Sequence, residues 1–109
     1  MVIGDIDIED AARNAAATIK NTGSEAECGR VDVTKSVGIQ AIVMKAVSKY
    51  GGSDHAFNNS GFVRSTAGVV ETSEDDWHRA VAASLTCSWL CMRHEILNCC
   101  ILGAAHDDC

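Results

Sequence analysis

The chain opens on Met1-Val2-Ile3, a short apolar run that ends at Gly4-Asp5 and reads as the end of a buried strand. Residues 9–20 are Ala-rich, with Ala11, Ala12, Ala15, Ala16 and Ile19 at helical spacing, and Thr22-Gly23 supplies the stop. Residues 26–33 make a second candidate strand, interrupted by Glu27 and Arg30. Helical spacing returns over residues 34–50 in Val37, Ala41, Val43, Met44 and Val47, and Gly51-Gly52 closes it. Residues 54–59 hold a third short strand, His55-Ala56-Phe57, with His55 expected to be packed there. Residues 61–71 are loop-like. Ser73 then opens a long helix to about residue 98. Ser73 with Asp76 three residues on resembles a capping box, and Glu74, Asp75 and Asp76 suit the positive end of the helix dipole. Trp77, Val81, Leu85, Met92 and Ile96 trace one apolar side of that helix.

Strand and helix alternate three times, without internal repeat or linker. Such alternation predicts an α/β fold: a partial, Rossmann-like, doubly wound parallel sheet of about three strands with flanking helices. Residues 1–98 are read as one partial domain and residues 99–109 as a frayed tail.

Composition narrows the function classes. Charged residues make up 22% and apolar ones 47% of the 109 residues, a globular balance rather than a disordered one. The formal charge is -6 with no basic run, which argues against binding a nucleic-acid backbone. No apolar stretch is long enough to predict a membrane span, and no basic segment precedes an apolar core as in a signal peptide. Of six cysteines (Cys28, Cys87, Cys91, Cys99, Cys100 and Cys109) five crowd into the last quarter, largely within the predicted helix. A disulfide scaffold spreads its cysteines along a loop-rich chain, so reduced thiols and a cytoplasmic location are expected.

Three segments fall at predicted strand ends, where an open parallel sheet binds its ligands. Asp5-Ile6-Asp7 follows the first strand, Val31-Asp32-Val33-Thr34 closes the second, and Asn58-Asn59-Ser60-Gly61 closes the third. Their order and spacing resemble the short-chain dehydrogenase/reductase family. That family has an acidic residue after its second strand, an Asp-Val pair after its third and Asn-Asn-Ala-Gly after its fourth. Glu74-Asp75-Asp76-Trp77 and Leu90-Cys91-Met92-Arg93-His94-Glu95-Ile96 resemble its next helix. The similarity runs from Met1 to Ile96.

The resemblance implies an NAD site. Asp5, with Ile6 beside it, would accept the adenosine ribose hydroxyls and repel a 2′-phosphate. Asp32 would sit by the adenine amino group with Val33 packed on the ring. Asn58, Asn59, Ser60 and Gly61 would run beneath the cofactor. It further implies oxidation of a small alcohol or reduction of a ketone, and a homo-oligomer formed through the helix over residues 73–98. The family's Gly-rich turn would precede Met1, and its catalytic Ser and Tyr-x-x-x-Lys would follow this segment. Within the chain, the only Tyr is Tyr50, with Asp54 four residues on, and Ser84 aligns with the family's helix Asn. The segment by itself is therefore expected to be inactive. The alternative class is a non-catalytic nucleotide-binding or protein-interaction module.

Two other groupings stand out by spacing. Cys87, Cys91 and His94 share roughly one helix face and, with Cys99, Cys100, His106 and Cys109, could form a zinc site, but zinc sites favour tight Cys pairs, so buried small hydrophobes are the expected role of these thiols. Ser84 with His78 or His94 shows only helical spacing and no third group, so no nucleophile pair is expected.

Overall fold

The structure, a computed structural model, describes residues 1–61 and 68–103. Strand β1 (Val2–Asp5) is followed by a π-helical stretch (Ile8–Ala12) that runs into helix α1 (Arg13–Asn21). Strand β2 (Glu27–Arg30), helix α2 (Ser36–Tyr50) and helix α3 (Glu74–Val81) come next. A second π-helical stretch (Ala82–Thr86) joins α3 to helix α4 (Cys87–Gly103), which passes beyond residue 98, where the apolar pattern fades.

β1 and β2 pair in parallel, with Val2 opposite Glu27, Ile3 opposite Cys28, Gly4 opposite Gly29 and Asp5 opposite Arg30. Because β1 has four residues, its ladder ends β2 at Arg30, short of the predicted residue 33. Val31 leaves the sheet and turns into the core, 5% exposed. The outer edge of β2 is covered in part by Lys45, whose Nζ donates to the Cys28 carbonyl at 2.8 Å. A charged side chain over an edge strand discourages pairing with another chain.

The expected third strand is corrected. Among the described residues the sheet has two strands, and His55-Ala56-Phe57 joins no ladder. His55 is exposed rather than packed, and Phe57 is 89% exposed. A strand forms only where a second backbone completes its hydrogen bonds, and among the described residues β1 and β2 pair with each other alone.

Local chemistry sets the helix ends. Asp7 Oδ1 accepts from the Glu9 and Asp10 amides (3.2 and 3.4 Å) and so satisfies donors that a helix start leaves free. α2 stops at Gly51, whose φ of 81° is left-handed and whose N–H reaches the Val47 carbonyl at 2.8 Å. Ser73 caps α3: its Oγ accepts from the Asp76 amide at 3.1 Å and donates to the Asp76 carboxylate at 2.9 Å. The expected start of the long helix is thus in place, in a variant of the capping box.

The inward faces differ from those that spacing suggested. On α2, Ile39 is fully buried while Val37 and Met44 are exposed. Val31, Ile39 and Cys91 form the core cluster, with Val33, Ile42, Val43 and Leu90 packed around it. Helix α4 therefore turns Cys87, Leu90 and Cys91 inward. Four of the five predicted stripe residues, Trp77, Leu85, Met92 and Ile96, face out, and Trp89 joins them. From α4, Cys91 and Leu90 are the side chains that pack on the Val31 and Ile39 cluster. Ala12 and Ala16, both buried, let the first helix lie close to the sheet.

Candidate functional site

The β1–β2 register carries Asp5 and Asp32 to one end of the sheet, since Asp5 stands opposite Arg30 and Asp32 follows two residues later. The Asp5 carbonyl accepts from the Val31 amide at 2.9 Å, which extends the ladder's grip one residue past β2. Each carboxylate then shapes its own turn. Asp5 Oδ1 accepts from the Asp7 amide at 2.9 Å, leaving Ile6 at the tip, 61% exposed. Asp32 Oδ1 accepts from both the amide and the hydroxyl of Thr34, at 3.0 and 2.6 Å. The Thr34 hydroxyl, then its amide, and the nearby charge of Lys35 hold the Asp32 carboxyl below its ordinary value. Asp32 is thus kept anionic. In each carboxylate these turns use one oxygen, and an ionised carboxylate has acceptor sites on both. Val33 is half-buried and packs on the Val31, Ile39 and Cys91 cluster.

The third motif is held from the other side, by α4. Asn58 Nδ2 donates to Glu95 Oε2 at 3.1 Å, and Ser60 Oγ lies 3.3 Å from Cys87 Sγ. Asn59 and Gly61 are exposed. The start of α2, just beyond the Asp32 turn, is tied to the same helix: Ser36 Oγ and His94 Nε2 are 2.8 Å apart. Consecutive residues of α4, His94 and Glu95, therefore hold the start of α2 and the third motif. Among the described contacts no hydrogen bond joins residues 58–61 to Asp5 or Asp32 directly, so α4 is the link between them.

Spacing had singled out Cys87, Cys91 and His94 as one helix face, and the structure uses that face for packing and anchoring. Burial, then the charge of Glu95 and the neighbouring Cys87, push the Cys91 thiol up, so it stays protonated. Cys28, Cys87 and Cys91 are free thiols. Among the described residues no three His, Cys, Asp or Glu side chains converge as a metal site would require. Cys99, Cys100, His106 and Cys109 lie outside the described side chains. The roles of Glu95 and His94 as anchors were missed on spacing, because their partners lie 37 and 58 residues away. Ser84 is exposed on the second π-helical stretch, and its carbonyl accepts from the Ser88 hydroxyl at 3.0 Å. π turns recur at functional positions of helices.

Among the described residues, no helix is long and apolar enough to cross a membrane. The model of a family described as Enoyl-(Acyl carrier protein) reductase matches residues 1–100. A 3beta-hydroxysteroid dehydrogenase of Mediterraneibacter gnavus is 30% identical over 88 residues, which are 81% of this chain and 32% of that protein. Glucose 1-dehydrogenase 2 of Bacillus subtilis is 38% identical over 72 residues, 66% of this chain and 28% of the relative. A crystal structure of a short chain dehydrogenase from Mycobacterium smegmatis superposes with a TM-score of 0.80 at 26% identity, covering 89% of this chain and 40% of that one. The chain spans about a third of the length of the curated relatives it matches. With its parallel βαβ unit and these likenesses, the chain belongs to the short-chain dehydrogenase/reductase family.

Proposed function

We propose that this chain supplies the adenosine side of an NAD site in an oxidoreductase that interconverts an alcohol and its carbonyl compound. The observation that carries this reading is the juxtaposition of two carboxylates, Asp5 and Asp32, beyond the C-terminal ends of paired parallel strands. Ligands of open α/β sheets lie at that edge. In this reading the Asp5 carboxylate accepts the two ribose hydroxyls, and its charge selects NAD against a 2′-phosphorylated form. Asp32 accepts from the adenine amino group and Val33 offers its exposed part to the ring. Asn59, Ser60 and Gly61 pass beneath the nucleotide, with Asn58 anchoring them on α4. NAD, when bound, supplies the hydride acceptor.

Pyrophosphate and proton are handled elsewhere in this reading. The helix start nearest Asp5 is capped by Asp7, whose carboxylate repels an anion, so no residue of that turn grips phosphate. Proton delivery needs a titratable group in reach of the substrate, and Ser84 is not one at neutral pH. The 109 residues alone therefore bind weakly and turn nothing over. The relatives named for a hydroxysteroid and for glucose make a hydroxyl-bearing carbon the natural substrate class. Free thiols favour a reducing, cytoplasmic setting.

The test is a titration with NAD followed by NMR. Millimolar binding, about -4 kcal/mol, is expected. The shifts should centre on Asp5, Ile6, Asp32, Val33 and residues 58–61, and Asp5→Ala should weaken them. Shifts confined to other regions would sink the assignment.

The outward apolar face of α3 and α4 supports a further part of this reading. Trp77 (62% exposed), Leu85 (70%), Trp89 (56%) and Ile96 (60%) lie along one helix assembly that also buries Cys87 and Cys91 on its other side. A helix apolar over most of its circumference is normally buried on two sides. A second copy of the chain, packed helix against helix, is the proposed cover.

A further inference from the structure

Cys87 is 1% exposed, and the chemistry proposed above gives it no part. Its surroundings are nonetheless specific. In the π-helical stretch before it, the Cys87 amide bonds the Ala82 carbonyl, one residue further back than an α-helix would have it. The Ala83 carbonyl, which an α-helical Cys87 amide would have taken, accepts the Cys87 thiol at 2.9 Å instead. A thiol has one proton. With that proton on Ala83, the contact of 3.3 Å between Cys87 Sγ and Ser60 Oγ has only one sense: the Ser60 hydroxyl donates and the sulfur accepts. Ser88 Oγ is farther from the sulfur, at 3.9 Å, and directs its own proton to the Ser84 carbonyl.

We propose that Cys87 is a positioning residue for residues 58–61, its π-anchored sulfur receiving the Ser60 hydroxyl so that this segment holds a set height against the nucleotide. The proposal rests on the nucleotide reading above. The Asn58 bond to Glu95 fixes one point of the segment on α4, and the Ser60 bond fixes a second. Two anchors eight helical residues apart define the direction of the segment as well as its place. One anchor would leave it free to pivot. Ser60 is exposed, so its hydroxyl can be removed without opening a cavity. The π turn also links this anchor to Ser84, which lies on the same stretch.

The experiment compares the full chain with Ser60→Ala, Cys87→Ala, the double variant and Cys87→Ser. Backbone relaxation of residues 58–61 is measured by NMR, together with affinities for NAD and for adenosine. Ser60→Ala and Cys87→Ala should each raise the mobility of residues 58–61 while β1 and β2 stay unchanged. Each should weaken NAD by roughly fivefold, as for loss of one net hydrogen bond. Adenosine, held by Asp5 and Asp32, should be unaffected. The double variant should be no worse than either single one, and Cys87→Ser, which keeps a donor and an acceptor, should recover most of the loss. Unchanged relaxation in Ser60→Ala, or additive losses in NAD affinity, would overturn the positioning role alone. An unaltered chain that binds neither NAD nor adenosine would overturn the nucleotide reading instead.

Discussion

Gly4 and Gly29 stand opposite each other in the parallel ladder, and neither has room for a β-carbon. A methyl on Gly4 would lie 2.7 Å from Val31 Cγ1 and 3.3 Å from Ile42 Cγ1; one on Gly29 would lie 2.6 Å from Ile42 Cδ1. The pair makes a notch in the sheet, and Ile42 brings α2 down into it. Gly4→Ala is expected to destabilise the chain by about 1–3 kcal/mol, as overpacking does. Gly29→Ala should cost less, because Ile42 Cδ1 is the free end of its side chain while Val31 is branched and buried. Ile42→Val removes that terminal methyl and should recover part of the Gly29→Ala loss. Urea unfolding decides the order. Equal losses with no recovery would mean that the notch does not set the helix height.

Ser73→Ala should lower stability by about 1 kcal/mol, the usual value of a lost N-cap. Ser73→Thr should keep most of it. Amide exchange in the first turn of α3 gives the local readout, and an unaltered first turn in Ser73→Ala would show that the acidic residues there hold the helix by themselves.

The acid side of the stability profile should carry a small contribution from Glu27. Its hydrogen bond with Lys49, together with the charges of Lys49 and Lys45, holds its carboxyl below the ordinary glutamate value. A carboxyl depressed on folding stabilises above its unfolded value, and the contribution fades as pH falls through the folded one. Lys49, raised in turn chiefly by Glu27, contributes below the ordinary lysine value and loses its effect as pH climbs through its folded value. Both groups are near solvent, so salt should weaken the effect. Lys49→Met should move the Glu27 midpoint, followed by NMR, up toward the ordinary value. An unmoved midpoint would assign the depression to Lys45.

Self-association should run through the outer face of α3 and α4. Sedimentation at micromolar concentration under reducing conditions is expected to show a dimer, and Trp89→Asp or Leu85→Asp should return it to monomer. Arg93 stacks over the Trp89 ring at 5.8 Å, so Trp89→Asp also removes that contact within one chain; Leu85→Asp is the cleaner arm. A monomer at every concentration would leave this face without a second copy on it.

Nicotinamide absorbance with a panel of alcohols and ketones should show no turnover by the 109-residue chain. A rate abolished by Ser84→Ala or Tyr50→Phe would reverse that expectation and give those hydroxyls a part in proton transfer.

Local chemistry was legible from the residues themselves. The Ser73 cap and the Gly51 stop both depend on neighbours in the chain, whose effects on backbone dihedrals and orphan amides do not await a fold. The turns at Asp5 and Asp32 were legible in the same way, as short patterns after the two strands that form; residues 58–61 follow no strand among the described residues. What the tertiary structure decided was everything that needs a distant partner. Residues 54–59 carry strand character, yet a strand exists only where a second backbone completes its hydrogen bonds, and neither β1 nor β2 adjoins them. The apolar spacing of α2 and of the helical run from Ser73 pointed to Val37, Met44, Trp77 and Leu85, while the fold buried Ile39, Cys87 and Cys91 and set Ile42 against Gly4 and Gly29. Periodicity marks how apolar a helix face is, but which face goes inward is settled by the volume on offer, and that volume belongs to other parts of the chain.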